Sequence, residues 1–460
     1  MSILSLEFFA LVLVCRIAVP RLAVHWQHVL LLFASVFFCF RHSPESAAIL
    51  LWIFLVTDFT FRGFRRSGKK WMPMAGIAVI VITWILSRLF NPASASTHLT
   101  GVATGFALGL TFYMLQAVSF LRGLGDRKTE SDPTRVQLLL YLAYFPKLSA
   151  GPIEPPGQFI KQLRQRLAPT AQHTIEGFML VLFGMLRKSV LGDPLIRSVP
   201  DAFYADPGSL SASRLVAWLA ALLFGIYNDF LGYTQIARGV SRMLGIQLSR
   251  NFRFPFFSRS VSDAWTRWHI TLSQWLREFI FFPISRAMAR RFPGTRHLLP
   301  MLIPPMAVMI FSGLWHGFKP QFLVWGILIG LLVFAERVIH VIRPPRPAAE
   351  VPIPLKWAKG LALWCFLGFS LVPFSMPPQA GMRYFAALFR SGLQPWPVTP
   401  VLLMIPVSLL LDRMQQRFGE TLEQLPVPTW NHVLLQAFLI LIVSIFLLTT
   451  HPVPFIYQGF

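Results

Sequence analysis

Charge is what this chain has least of. Only 13% of its 460 residues are Asp, Glu, Lys or Arg, against about 25% in an ordinary soluble domain. That scarcity excludes a soluble enzyme held on a single anchor, which would need a long polar, periodic region. Acids are scarcer still, with 19 Asp and Glu against 42 Lys and Arg and a net charge of +23. Basic loops on one side of a membrane account for such an excess, so it gives no reason to expect a nucleic-acid partner. Cysteine is rare as well. Cys15, Cys39 and Cys365 lie in separate apolar segments without metal-ligand spacing, so neither a disulfide framework nor a metal site is expected.

What fills the chain instead is apolar length. It is 55% hydrophobic, with 43 Phe and 14 Trp, and a spanning helix needs roughly 20 apolar residues. Apolar runs fall at 3–20, 26–42, 46–61, 72–90, 100–121, 174–192, 213–236, 298–316, 321–339, 357–375, 398–412 and 432–450. No Lys or Arg precedes the first run and no small-residue cleavage site follows it, so it reads as a retained span rather than a signal peptide. The expectation is an all-α integral membrane protein of about 11–12 transmembrane helices in one domain over 1–460, with membrane lipid as its solvent.

Loop charge gives the orientation. The 62–70 loop holds five basic residues and no acid, the 91–99 loop holds no Lys or Arg, and the next carries Arg122, Arg127, Lys128 and Arg135. The basic loops are expected in the cytoplasm. Propagating the alternation puts both termini outside, together with the loop containing Asp193, Asp201 and Asp206.

Two stretches do not read as simple spans. In 141–158, Pro152, Pro155 and Pro156 lie beside Gly151 and Gly157. Proline cannot continue a helix, and broken backbone survives at membrane depth only inside protein or against a watery cavity. A re-entrant or interfacial element is expected there. The other stretch, 238–296, has eleven arginines, no lysine, and only Asp263 and Glu278 as acids. Within it Trp265, Trp268, Leu272, Leu276 and Phe279 recur at helical spacing, which predicts an amphipathic helix at the cytoplasmic interface.

Few ionisable groups fall inside the apolar runs, and each is costly there. His316 ends one of them, in Gly313-Leu314-Trp315-His316-Gly317. Histidine is the side chain best placed to take and return a proton near neutral pH. Its flanking glycines would let another chain or a substrate approach closely. Asp229 lies in Tyr227-Asn228-Asp229-Phe230-Leu231-Gly232-Tyr233, and His269 in Trp268-His269-Ile270-Thr271-Leu272-Ser273.

Together with Phe112-Tyr113, Phe145-Pro146, Gly151-Pro152-Ile153 and Asn251-Phe252, these pieces resemble, in order and spacing, the membrane-bound O-acyltransferase superfamily. The nearest resemblance is to its bacterial branch of alginate O-acetylases and D-alanyl transfer proteins. The resemblance implies a helical bundle around a central tunnel and transfer of an acyl group from a thioester to a hydroxyl. It implies His316 as general base and His269 as a second important histidine, with Asp229, Tyr233, Trp315 and Trp268 shaping the site. No bound cofactor is implied; the donor substrate is acetyl-CoA or an acyl carrier protein. Its phosphate would meet Arg267, Arg277 or Arg253, because arginine binds phosphate in bidentate fashion.

The ending 451–460 resembles the extracytoplasmic aromatic tail of members that work with a secreted or periplasmic SGNH-type acyltransferase, which makes Tyr457 a candidate acyl relay. The expected product is an O-acylated cell-surface polysaccharide, exopolysaccharide or peptidoglycan, and the expected place the bacterial inner membrane. D-alanyl transfer from a carrier protein is the enzymatic alternative, and a polysaccharide or lipid transporter the non-enzymatic one. The chain departs from the pattern at Ala264, Thr266, Thr234-Gln235 and Ser285-Arg286, so its donor or acceptor need not be that of the best-known members.

Overall fold

The computed structural model describes residues 2–90, 109–124, 132–293, 298–343, 352–390, 395, 397, 399–422, 424 and 429–449. Tyr457 and the rest of the C-terminal tail lie outside the described residues.

The first apolar helices are α1 (Leu6–Ala18), α2 (Val24–His42), α3 (Pro44–Ser67) and α4 (Trp71–Leu89). Next come α5 (Leu110–Arg122) and α6 (Arg135–Ala143), which opens on a Thr134/Gln137 capping box. After the proline-rich stretch follow α7 (Pro156–Leu163) and α8 (Ala171–Met185), which runs into a wider π-helical segment, Leu186–Gly192. Two short helices, α9 (Asp193–Ser198) and α10 (Asp201–Ala205), precede the 32-residue α11 (Ala212–Met243). The arginine-rich region holds α12 (Val261–Arg267), α13 (Ile270–Leu276) and α14 (Phe282–Arg291). The chain continues with α15 (Leu298–His316), α16 (Pro320–Ile342), α17 (Ile353–Ser375), α18 (Pro378–Arg390), α19 (Met404–Phe418) and α20 (Thr429–Thr449).

Each of the twelve apolar runs overlaps one of these helices among the described residues, though the first part of the 100–121 run lies outside them and the 398–412 run meets α19 only from Met404. Seven (α2, α3, α4, α11, α15, α16 and α17) are long and apolar enough to cross a membrane by length and composition. No strand is present among the described residues.

Helix α11 is the axis. It is buried along most of its length and packs on α8, α9, α17, α18 and α19. Its approach to α8 is set by glycine: Gly177 faces Gly239 and Gly184 faces Gly232, so that a methyl group on any of them would come within 2.4–2.7 Å of the opposite backbone carbonyl. Such small-residue seams let membrane helices touch backbone to backbone. The α15–α16 pair is joined the same way. Gly313 lies against the Phe322 carbonyl and Gly317 against the Phe322 ring. Of the two close approaches expected at the glycines beside His316, the one observed is that of α16.

The proline-rich stretch is irregular, as expected. Residues 144–154 form no helix and are buried throughout. Such backbone must find hydrogen bonds inside the protein. Lys147 folds back to donate to the Tyr141 carbonyl (2.6 Å) and to Gln116 Oε1, with its ammonium over the rings of Tyr141 and Phe159. Glu154 accepts from the Ser249 backbone N–H (2.6 Å) and hydroxyl (3.0 Å), and the Ile153 N–H donates to Thr271 Oγ1 (3.0 Å). The loop is thus tied to the start of α13.

The amphipathic helix predicted across 265–279 is not continuous. It breaks between α12 and α13, where His269 adopts φ 42°, and α13 passes into a π-helical turn at Arg277–Phe281. Asn251 compensates the break. Its carbonyl accepts from the Ile270 N–H (2.8 Å), and its Oδ1 accepts from the Thr271 hydroxyl (2.6 Å). The Arg253 N–H bonds the Arg267 carbonyl on the other side (2.9 Å). Helical spacing of the apolar residues survives such a break because each half keeps its own period.

Candidate active site

The break at His269 and the end of α15 meet. His269 and His316 are both buried, and both line one cavity of about 100 Å³. Its walls are largely aromatic, with Trp265, Trp268, Trp325, Trp364 and Phe374, and Ser312 and Ser370 contribute hydroxyls. Ser312 stands one helical turn before His316, so the two share a face of α15. No Asp or Glu is among the described residues lining this cavity.

Aromatic rings hold both imidazoles. Trp315 lies between them, its ring centre 6.0 Å from that of His269 and 4.7 Å from that of His316. His269 is also packed by Phe230 (4.8 Å) and Phe112 (6.4 Å), and His316 by Phe374 (4.9 Å) and Trp325 (5.7 Å). Trp268 rests on Tyr227 (6.0 Å) and Phe252 (5.2 Å) of the wall behind.

Arg88, at the end of α4, was not singled out from sequence. Its guanidinium donates to the backbone carbonyls of His316 (3.2 Å) and Trp315 (3.3 Å). It sits beside the Trp84 ring, and that ring packs edge-on against Phe318 (5.5 Å). Residues 84 and 88, one turn apart, therefore clamp the chain just where α15 ends, and a cation is favoured at that negative end of a helix. The available signal was an arginine at the end of a span whose following loop lacks Lys and Arg.

A second cavity adjoins the first. This groove of about 770 Å³ runs between α11, α17 and α19 and shares the walls Leu223 and Trp364 with the histidine cavity. Its body is apolar, while Arg259, Arg267, Lys356 and Arg413 supply basic side chains to its wall. Arg267 carries an ion pair to Asp263 (2.7 Å), also in that wall. Arg253 and Arg277 are exposed and line neither cavity.

Asp229 and Tyr233 face elsewhere. Asp229 pairs with Lys188 of the π-helical segment, which also binds Asp193 (3.1 Å). Tyr233 hydrogen-bonds Ser149 of the proline-rich loop. Neither lines the histidine cavity; they brace the elements around it.

Residues 27–376 match the model of the membrane-bound O-acyltransferase family. The chain belongs to that family. Among curated relatives, the probable alginate O-acetylase of Azotobacter vinelandii is 29% identical over 342 residues, covering 71% of this chain and 64% of the relative. The peptidoglycan O-acetyltransferase of Helicobacter pylori is 30% identical over 261 residues, covering 50% and 47%. The teichoic acid D-alanyltransferase of Streptococcus thermophilus is 23% identical over 349 residues, covering 73% and 82%. The match spans 64% and 55% of the first two alginate O-acetylases.

Proposed function

We propose that this membrane-bound O-acyltransferase family protein moves a short acyl group, acetyl, from a cytoplasmic thioester to a hydroxyl acceptor bound for a cell-surface glycan, with His316 as general base. The observation that carries this reading is the pair of histidines in one small aromatic cavity, next to a long apolar groove with basic residues in its wall. A hydroxyl becomes an adequate nucleophile when a base takes its proton during attack. Its oxygen bonds to the thioester carbonyl carbon, the C–S bond breaks, and the imidazolium returns the proton to the leaving thiolate. A hydroxyl such as that of Ser312 can stabilise the oxyanion in this low-dielectric site.

Acetyl is preferred to D-alanyl because burying an unpaired ammonium is costly, and no carboxylate is among the described lining residues. The donor, coenzyme A or a carrier protein, would lay its phosphate near Arg267 and Arg259, beside α12, whose Ala264 and Trp265 line the histidine cavity. Loop charge supports an orientation with both termini outside; the bacterial inner membrane and an SGNH-type partner receiving the group there are proposed from the resemblance to the alginate O-acetylase branch. Tyr457 is proposed as the relay. The test is turnover by protein in lipid nanodiscs with labelled acetyl-CoA, acetyl-carrier protein and D-alanyl-carrier protein. Release of thiol and labelling of a hydroxyl from an acetyl donor is expected; turnover of the D-alanyl donor alone overturns the assignment.

Arg88 is a positioning residue in this scheme. Arg88→Gln is expected to lower kcat about 10- to 100-fold with the donor KM little changed, because a displacement of about 1 Å at a catalytic group has that order of effect. Arg88→Lys, which keeps a cationic donor at the carbonyls, should recover part of the loss. A parallel fall in folded protein for both variants would show that the residue only supports the fold.

A further inference from the structure

The two cavities share only two of the residues that line them, and one, Trp364, is large enough to be a partition. It lies on α17 and is held from the loop side. Its indole N–H donates to Ser258 Oγ (3.2 Å), while Ser258 itself donates to the Pro255 carbonyl (2.6 Å). The ring packs on Phe256 (4.5 Å) and Trp268 (6.2 Å). One turn earlier on α17, Gly360 allows the helix to lie against the Ser258 carbonyl, where a methyl group would come within 3.3 Å. An indole fixed at its polar edge and packed against two tilted aromatic rings makes a rigid wall. Leu223 of α11 completes the shared boundary.

We infer that Trp364, with Leu223, is the size filter that limits the transferred group to two or three carbons. This rests on the acyl-transfer reading above and adds a specificity-determining residue to it. An apolar cavity of about 150 Å³ takes a benzene, six heavy atoms. In proportion, the histidine cavity of about 100 Å³ takes roughly four. An acetyl group has three heavy atoms and a propionyl group four; an octanoyl group has nine and would have to occupy the groove as well. With the indole in place, the part of a longer chain beyond the third carbon meets the ring. Removing the ring joins the cavity to the groove and gives that chain somewhere to lie.

The experiment compares octanoyl-CoA with acetyl-CoA as donors for the wild-type protein in nanodiscs and for Trp364→Ala, Trp364→Phe and Leu223→Ala. The octanoyl-to-acetyl ratio of kcat/KM should rise at least about 10-fold in Trp364→Ala, since a single methylene accommodated in an apolar pocket is worth a factor of about 10 or more. A smaller rise in the same direction is expected for Leu223→Ala, on the other helix, which keeps the idea testable where loss of the indole unfolds the protein. Trp364→Phe, which keeps an aromatic wall, should stay near the wild-type ratio. Acetyl transfer by the wild type with an unchanged ratio in both alanine variants overturns the filter and leaves the acyl-transfer reading standing. A wild type that transfers no acyl group from any thioester overturns both.

Discussion

His316→Ala protein is expected to insert and fold but to transfer acyl groups at least about 100-fold more slowly, the loss typical of a removed general base. The size follows from where the imidazole stands. It is buried in a cavity walled by Trp325 and Phe374, where bulk water cannot take over its work. Deleting the ring also leaves a void, so His316→Gln serves as a companion variant that fills most of the space without a comparable base. Both should lose activity together, at matched amounts of folded protein judged by size-exclusion profile and thermal midpoint. Full activity in either variant would sink the assignment.

His269 needs a different substitution. Its backbone sits at φ 42°, where an L-residue with a Cβ is strained and asparagine is tolerated better than most. His269→Asn therefore tests the side chain with the least disturbance of the α12–α13 break. If the two imidazoles act as one unit, the His316/His269 double variant should be scarcely slower than His316→Ala alone, because effects within a catalytic unit are not additive.

Much of this architecture could be read from sequence, for a physical reason. Lipid demands continuous apolar helices, and such runs leave a strong signal; each predicted run indeed holds a helix. The prolines of 152–156 were equally informative because three within five residues, beside Gly151 and Gly157, remove more helical N–H groups than one span can spare, whereas α15 and α17 carry Pro304, Pro305 and Pro373 without breaking. His316 and His269 were both singled out through the family resemblance, and in the structure both line one cavity.

What could not be read was the choice of partner. Arg187 and Lys188 are adjacent cations inside one apolar run, and Asp193, Asp229 and Asp412 are carboxylates available to them. Only the packed helices decide that Lys188 takes Asp193 and Asp229 while Arg187 takes Asp412. Asp229 accordingly faces away from the histidines. The break at His269 was hidden for a related reason: the hydrogen bonds that sustain it come from Asn251, 18 residues earlier in the chain. The exposed positions of Arg253 and Arg277 likewise depend on tertiary packing, since composition marks a basic region without saying which of its arginines faces a groove.

The Arg187–Asp412 pair yields the largest expected effect on stability. Both side chains are fully buried, with Nη2 2.5 Å from Asp412 Oδ1 and 2.7 Å from Gln415 Oε1, and Nη1 3.1 Å from Asn228 Oδ1. Tyr227 donates its hydroxyl to Asp412 Oδ2 (2.8 Å), and Asn228 donates to Ser408 Oγ (2.9 Å). Asp412→Leu leaves a desolvated guanidinium without its carboxylate and should cost about 3–5 kcal/mol. Adding Arg187→Met removes the stranded charge, and the double variant should recover most of that loss. Recovery stops short of complete because the Tyr227 hydroxyl has lost Asp412 and Gln415 Oε1 has now lost Arg187, at about 1–3 kcal/mol for each group left unsatisfied. Thermal midpoints in one detergent give the comparison; a double variant no more stable than Asp412→Leu would refute the charge argument. The network also bears on catalysis. Tyr227 binds Asp412 at its hydroxyl and lies face to face with Trp268 through its ring, 6.0 Å between centres, and Trp268 precedes His269. A break in the network should therefore loosen the wall behind the second histidine, and Asp412→Leu should lose acyl transfer even in the fraction that remains folded.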